Sequence, residues 1–330
     1  MKNQNNIRVA IYIPTFNRAR YIKQTILTLI NQTYTNISIT IVDNASMDNT
    51  EEIVRSIIDP RIKYIKNESN IGAINNFNKC IEISLFNNDQ FMCIFHSEDL
   101  YHLSIVEREL DLMLESDDIG VVFSNMSYVD EDNHDLMRIF EKRFEKDIVL
   151  SEIDLIETTL VYGTPLCCPT FMARTKVFRD VGYFEPKYLY AGDTEFYLRV
   201  SKKFRIGIVS DALMKYRLSS IQESLMQLVD KRSISEEFVL LNTKILEYRS
   251  VLSREVVNAY NKRLAKEYLD LAQIALLKNL GKSEIIENTN RSIEISTFPL
   301  LTKYGVKQRL LNHKLYSPFK YIYQFSKQKL

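Results

Sequence analysis

The sequence predicts an α/β chain in which a mostly parallel central sheet is followed by a helical C-terminal region. Over the first half, short β-branched runs alternate with stretches of helical apolar spacing. The rhythm changes from about Val149, and from Leu225 to about Asn290 it becomes long and helical, without proline or strand signals.

Ile7–Ile13 reads as a strand stopped by Pro14, and Tyr21–Ile30 as a helix. Ile37–Val42 is a second strand. Asp48, with Glu51 three residues on, reads as an N-cap with a capping box, opening a helix through Ile58. Ile62–Ile65 is a strand, Ala73–Phe86 a helix, Phe91–Phe95 a strand, Ser104–Leu114 a helix and Ile119–Phe123 a strand. Beyond Val149 follow a helix at Ser151–Leu160, a strand at Cys167–Ala173 and a helix at Asp193–Val200, then short strands at Ile206–Val209 and Leu213–Tyr216. A boundary near residue 220 divides a domain at 1–224 from a helical region at 225–330.

Composition narrows the class. The 330 residues are 45% apolar and 26% charged, with a net charge of +1, so bulk charge gives no reason to expect a nucleic-acid partner. Cys80, Cys93, Cys167 and Cys168 show no CxxC spacing and read as reduced, buried thiols rather than a zinc site. The N-terminal residues lack a signal-peptide pattern, and no apolar run reaches bilayer length. The expected location is the cytoplasm, or the inner face of the cell membrane as a peripheral protein.

In parallel sheets ligands bind where strands end at their carboxyl side. Pro14-Thr15-Phe16-Asn17-Arg18 follows the first strand and can offer backbone groups and a ring to a planar base, or serve as a plain strand-to-helix turn. Asp43 follows the second strand, placed for a base or ribose hydroxyl; an Asx turn is the structural alternative, which Asn44, Ser46 and Asp48 fill equally well. Asn70 and Gly72 follow the third, where a glycine permits close backbone approach. The fourth breaks into His96-Ser97-Glu98-Asp99, oxygen ligands that suit Mg²⁺ or Mn²⁺ on a diphosphate, or a solvated helix start.

These pieces occur in order with Asn31-Gln32-Thr33-Tyr34, Val42-Asp43-Asn44-Ala45-Ser46-Met47-Asp48-Asn49-Thr50, Asn70-Ile71-Gly72, Val181-Gly182-Tyr183-Phe184 and Gly192-Asp193-Thr194-Glu195-Phe196-Tyr197-Leu198-Arg199. The combination, over roughly residues 7 to 224, resembles the family 2 glycosyltransferases: inverting enzymes of the GT-A fold, here of the bacterial envelope-polysaccharide type. The resemblance implies a nucleotide-sugar donor, a UDP-sugar first, and a glycan or lipid-linked acceptor hydroxyl. It implies that Pro14, Thr15, Phe16, Asn17, Arg18, Asp43, Asn70 and Gly72 hold the nucleotide. Asp99, with Glu98, would hold a divalent cation, Mn²⁺ or Mg²⁺. Asp193 would take the proton from the acceptor, with Ser97, Glu195, Arg199 and Arg217 in support. The family's usual Asp-x-Asp has Ser97 in first place here. Its Tyr-Arg-x-His segment reads Tyr216-Arg217-Leu218-Ser219, which leaves Asp99 as the main expected anchor.

Residues 301–330 carry seven Lys or Arg and no Asp or Glu, interleaved with Tyr304, Tyr316, Phe319, Tyr321, Tyr323 and Phe325. Such a segment suits an anionic membrane surface, or a basic tail docked as a packed helix. Two enzyme classes are excluded: the loop after the first strand has neither the glycine-rich turn of a nucleotidyltransferase nor the GxGxxG of a dehydrogenase. A non-catalytic nucleotide-sugar-binding module is the remaining alternative.

Overall fold

β1 (Val9–Thr15) lies between β2 (Ile37–Asp43) and β4 (Phe91–Phe95), parallel to both, and β3 (Ile62–Lys66) extends this parallel part beyond β2. The structure is a computed structural model that describes residues 6–140, 143–218, 233–278, 282–296 and residues 304, 308 and 311. β1, β2 and β4 are buried nearly throughout, because helices cover both faces of a parallel sheet; their unbroken apolar runs follow from that. The crossovers are α1 (Ile22–Ile30), α2 (Thr50–Arg55) and α3 (Ala73–Phe86). The capping box expected at Asp48 is replaced by a different device. The helix begins at Thr50 and ends at Arg55, while Asp48 accepts from the amides of Ala19 and Thr50, and Glu51 pairs with Lys66 and Arg55.

The sheet runs β3-β2-β1-β4-β9-β6-β10-β5, so it is mixed rather than parallel throughout. β9 (Thr170–Arg174) is antiparallel to both β4 and β6 (Ile119–Val129), and β6 runs parallel to β10 (Arg205–Arg217). β5 (Leu100–Tyr101) and β8 (Ile148–Leu150) pair antiparallel with β10, and β7 (Asp135–Ile139) with β6. The two short strands expected at 206–216 are one strand. Register shifts between Val209 and Met214 break its alternation, and Asp147 satisfies the irregularity by accepting from the Ser210 amide and hydroxyl at 2.9 and 3.0 Å.

Between these strands lie α4 (Ile105–Leu114), α5 (Glu152–Tyr162), α6 (Lys176–Val181) and α7 (Gly192–Val200). The chain separates into two units, Met1–Leu155 with Thr164–Ser220, and Ile156–Gly163 with Ile221–Leu330. The sequence assigned 156–163 to the first domain. Within the second unit, Arg263 donates through Nη1 to the carbonyls of Thr159 and Leu160, at 2.5 and 2.7 Å. That unit holds α8 (Glu236–Tyr248), α9 (Arg254–Leu277) and α10 (Lys282–Ile295). Of the basic tail, Leu311 is buried and Tyr304 packs against the cluster of Leu269, Ala272, Leu276 and Ile285. Gln308 is buried as well and donates to Ser292 Oγ at 3.0 Å, while Ser219 and the remaining residues of 301–330 lie outside the described residues. Among the described residues no helix is long and apolar enough to cross a membrane.

Candidate active site at the carboxyl ends of the strands

The loops after β1 and β2 are stitched together. Asn17 sits at φ 52°, a left-handed conformation that asparagine tolerates, and its amide donates to Ser46 Oγ at 2.8 Å. Its Oδ1 accepts from the Met47 amide at 2.9 Å, and the Arg18 amide donates to Thr50 Oγ1 at 3.0 Å. Phe16 and Pro14 stay half-exposed beside this seam, while Thr15 is buried with an unpartnered hydroxyl.

Asp43, expected at the base or ribose, is enclosed at the end of β2. Its carboxylate is fully buried and already engaged: Oδ1 accepts from the amide and hydroxyl of Ser46 at 2.8 and 2.6 Å, and Oδ2 from the Tyr64 hydroxyl. Burial, then that carboxylate, push the Tyr64 hydroxyl upward. Asp43 therefore holds the turn from within. Asn44, beside it in sequence, anchors a buried amide network that pattern reading missed. Its Nδ2 donates to Asn70 Oδ1 at 2.7 Å, and its Oδ1 accepts from the Ile71 amide and Asn67. Asn67 donates to Asn76, which donates to the Val42 carbonyl. Three asparagines each next to a strand end or helix start were the available signal. Asn70 and Gly72 remain exposed, and Gly72 takes φ 85°.

At the end of β4 the structure separates two neighbouring carboxylates. Glu98 keeps 16% side-chain exposure and pairs with Arg18, Nε to Oε2 2.8 Å. Asp99 is enclosed. Its Oδ1 accepts from the Arg217 amide at 2.9 Å and its Oδ2 has no partner. Burial pushes the Asp99 carboxyl up to about 8, with the Glu98 charge adding to it against the Arg217 hydrogen bond. Of the two, Glu98 is part-exposed before any ligand arrives, while Asp99, the expected main anchor, is enclosed. Ser97 is buried beside them. Half-buried His96 packs edge-on against Phe77, and burial together with the Arg18 charge pushes its imidazole down to about 4, so it is neutral.

Arg217 organises this end. Its Nε donates to the Glu98 carbonyl at 2.8 Å, Nη1 to the Glu131 carbonyl, Nη2 to Gln24, and its guanidinium lies over the Tyr21 ring. One buried arginine therefore ties the acidic turn to α1 and to the turn after β6.

Asp193 lies in the first turn of α7, half-buried, with Oδ1 accepting from the Thr194 amide at 2.6 Å. A helix N-terminus favours the ionised carboxylate. Because β9 is antiparallel to β4, Thr170 pairs with Phe95 and brings the Cys167–Pro169 turn to the same sheet end. Cys168 there is close enough to Asp193 to feel its charge; burial first, and that charge second, push the thiol up to about 12. Phe77 touches both His96 and Phe184, and Asn78 clamps Phe184 through both backbone groups, joining the acidic turn to the segment before α7. Glu195 and Arg199 form a two-point ion pair at 2.7 and 2.9 Å, and Arg199 also holds the carbonyls of Val181 and Tyr183. These two residues steady α7 rather than face a ligand.

A sequence profile of glycosyl transferase family 2 matches residues 10–182, over half of the chain. The chain belongs to glycosyl transferase family 2. This glycosyltransferase is 30% identical over 223 residues to an uncharacterized glycosyltransferase of Haemophilus influenzae, covering 66% of this chain and 67% of that one. It is 26% identical over 125 residues to the Escherichia coli UDP-Glc:alpha-D-GlcNAc-diphosphoundecaprenol beta-1,3-glucosyltransferase WfgD, covering 38% of this chain and 48% of that one. Among solved structures it resembles Staphylococcus aureus TarS 1-349 in complex with UDP-GlcNAc (TM-score 0.56, 15% identity, 94% of this chain and 91% of that one). It also resembles the mannosyltransferase PcManGT of Pyrobaculum calidifontis in complex with GDP-Man and Mn²⁺ (TM-score 0.56, 13% identity, 97% and 89%). At these identities the likeness establishes the fold, which is GT-A.

Proposed function

We propose that this glycosyltransferase moves one sugar, with inversion, from a nucleotide-sugar donor to a hydroxyl of a glycan or lipid-linked acceptor in cell-surface polysaccharide synthesis. The observation that carries the reading is the convergence on one sheet end of the stitched loops after β1 and β2, the Arg18–Glu98 pair and the Asp193 carboxylate at a helix start. WfgD, named for a UDP-glucose donor and a diphosphoundecaprenol acceptor, and TarS with its UDP-GlcNAc support a UDP-sugar as first choice and a lipid-linked glycan as acceptor.

In this reading the loop of Pro14, Thr15, Phe16 and Asn17 takes the base, with Asn70 and Gly72 at its edge. Arg18 faces the diphosphate. Asp193 removes the acceptor hydroxyl proton as oxygen attacks the anomeric carbon; the bond from that carbon to phosphate breaks and the nucleoside diphosphate leaves. A positioned base of this kind contributes about 10²–10⁴ in rate. One or two protein carboxylates plus donor phosphates suffice for Mg²⁺ or Mn²⁺. Glu98 and the unpartnered Asp99 Oδ2 fit that need, although no group of three ligating side chains occurs among the described residues. Bound there, a divalent cation would supply Lewis-acid neutralisation of the leaving diphosphate. A lipid-linked acceptor would bring the enzyme to the inner face of the membrane; flotation with anionic vesicles tests this, and a protein left in the soluble fraction removes the membrane partner.

The deciding experiment is nucleotide release from a panel of UDP-, GDP-, dTDP- and CDP-sugars with Mn²⁺ or Mg²⁺ and lipid-linked acceptors. Release that depends on one donor–acceptor pair is expected. Nucleotide binding without turnover on any pair would leave a binding module instead.

A further inference from the structure

We propose that Arg18 and Glu98 form an exchange pair: the donor diphosphate takes Glu98's place on the Arg18 guanidinium, and the freed carboxylate turns to the divalent cation. The inference rests on the reading of this sheet end as the nucleotide-sugar site and deepens it. Arg18 Nε and Glu98 Oε2 stand 2.8 Å apart, so each neutralises the other before any ligand arrives. A cation approaching Glu98 meets the guanidinium charge, and a diphosphate approaching Arg18 meets the carboxylate charge. Each ligand alone is opposed, whereas both together resolve four charges into two new pairs.

The anchoring of the two side chains makes exchange the economical motion. Arg18 Nη1 is held by the carbonyls of Phe16 and Asn17 at 3.0 and 3.2 Å, inside the seam that joins the first two loops. The guanidinium is therefore tethered to the loop, and its Nη2 has no partner among the described residues. Its side chain keeps 30% exposure, enough for a phosphate to reach it. Glu98 is fixed by its backbone instead, since Arg217 Nε holds its carbonyl at 2.8 Å. Its side chain can turn from one cation to another without moving the main chain. Among the described residues, neither group has a second ion pair to fall back on.

Coupling of this kind is reciprocal: whatever donor binding does for the cation, the cation does for the donor. It also predicts that removing one member of the pair strengthens the other ligand taken alone. For a partly exposed ion pair, each gain is about three- to tenfold.

The test uses each ligand in the absence of the other. Free Mn²⁺ is followed by electron paramagnetic resonance without nucleotide, in the wild-type protein and Arg18→Gln. UDP and GDP binding are followed by calorimetry in EDTA, in the wild type and Glu98→Gln. Arg18→Gln should bind Mn²⁺ more tightly than wild type, and Glu98→Gln should bind the nucleotide more tightly. Unfolding does not mimic a gain in binding. Should circular dichroism show a glutamine variant to be unfolded, Arg18→Met or Glu98→Leu repeats the measurement. Affinity that is unchanged or weaker in either folded variant, with nucleotide still binding to the wild type, overturns the exchange alone. A wild type that binds no nucleoside diphosphate, with or without Mn²⁺, overturns the donor reading as well.

Discussion

On the side of β1, β2 and β3 the loops are held by side-chain hydrogen bonds among Asn17, Asp43, Asn44, Ser46, Asn67, Asn70 and Asn76, whereas on the side of α7 a cluster of rings packs under the helix and the Glu195–Arg199 pair adds to it. Phe196 lies 4.3 Å from Phe184 and stacks on Phe178, and Tyr197 packs edge-on against Phe123. In the proposed reading, the difference follows from what each side presents. A base and ribose need a fixed set of polar groups, so the donor side is itself a polar network with nearly every member partnered. A catalytic carboxylate needs a rigid mount, and aromatic packing under a short helix supplies one without competing hydrogen bonds. The two sides should therefore fail in different ways.

The largest effect is expected at the mounted group. Asp193→Asn preserves shape but removes the base, so turnover should fall by about 10²–10⁴ while nucleotide affinity is kept. Steady-state kinetics with saturating donor and acceptor checks this; wild-type turnover would remove Asp193 from its role. Next comes the mount. Phe196→Ala should cost about 3–5 kcal/mol in urea unfolding, the usual range for a buried aromatic, and should depress turnover more than donor binding. Asn44→Ala is the counterpart on the polar side. It strands the Asn67 and Ile71 donors, costing about 1–3 kcal/mol. Its activity loss should appear as weaker donor binding, with turnover at saturation nearly intact. If both variants lost the same kinetic parameter, the division of labour between the two sides would be wrong.

How far the sequence reveals this contrast depends on the physics on each side. The central parallel strands were legible because burial on both faces writes unbroken apolar runs, and α3 because its apolar residues recur at helical spacing; Ala73–Phe86 and Phe91–Phe95 appear at their expected limits. Asp193 and the loop at Pro14–Arg18 became candidates through the ordered series of motifs. The contacts of Asp43 were not legible, because ligand and turn-former have the same local sequence; only folding brings in Ser46 and Tyr64 as its partners. Asp99 and Glu98 are adjacent in sequence, and only the Arg217 amide, 118 positions away along the chain, shows which one is enclosed. Antiparallel β9 and the two-residue β5 carry too little periodicity to be oriented without the sheet around them.

Glu109 sharpens the comparison from a third position. It lies in α4, fully buried, and among the described residues the Ser124 hydroxyl is its near polar neighbour, short of full hydrogen-bond geometry to either carboxyl oxygen. The buried asparagines of the donor side are fully partnered; this buried carboxyl has only the Ser124 hydroxyl nearby, and burial pushes it well above the usual carboxylate range against the lowering effect of that hydroxyl. The sign of its pH effect follows by linkage. Between the ordinary carboxylate range and its raised native value, the unfolded chain releases a proton that the folded protein retains, so the folded state binds more protons and stability falls as pH rises through that window. Glu109→Met, of similar length and apolar, removes both the titration and the unpartnered oxygens. Its melting temperature should exceed that of the wild type by more at pH 8 than at pH 5, read by circular dichroism at both values. An equal gain at the two pH values would mean that Glu109 titrates as an ordinary carboxylate in the fold. A loss at pH 8 would mean that Ser124 holds the carboxyl after all, as the asparagine network holds its own members.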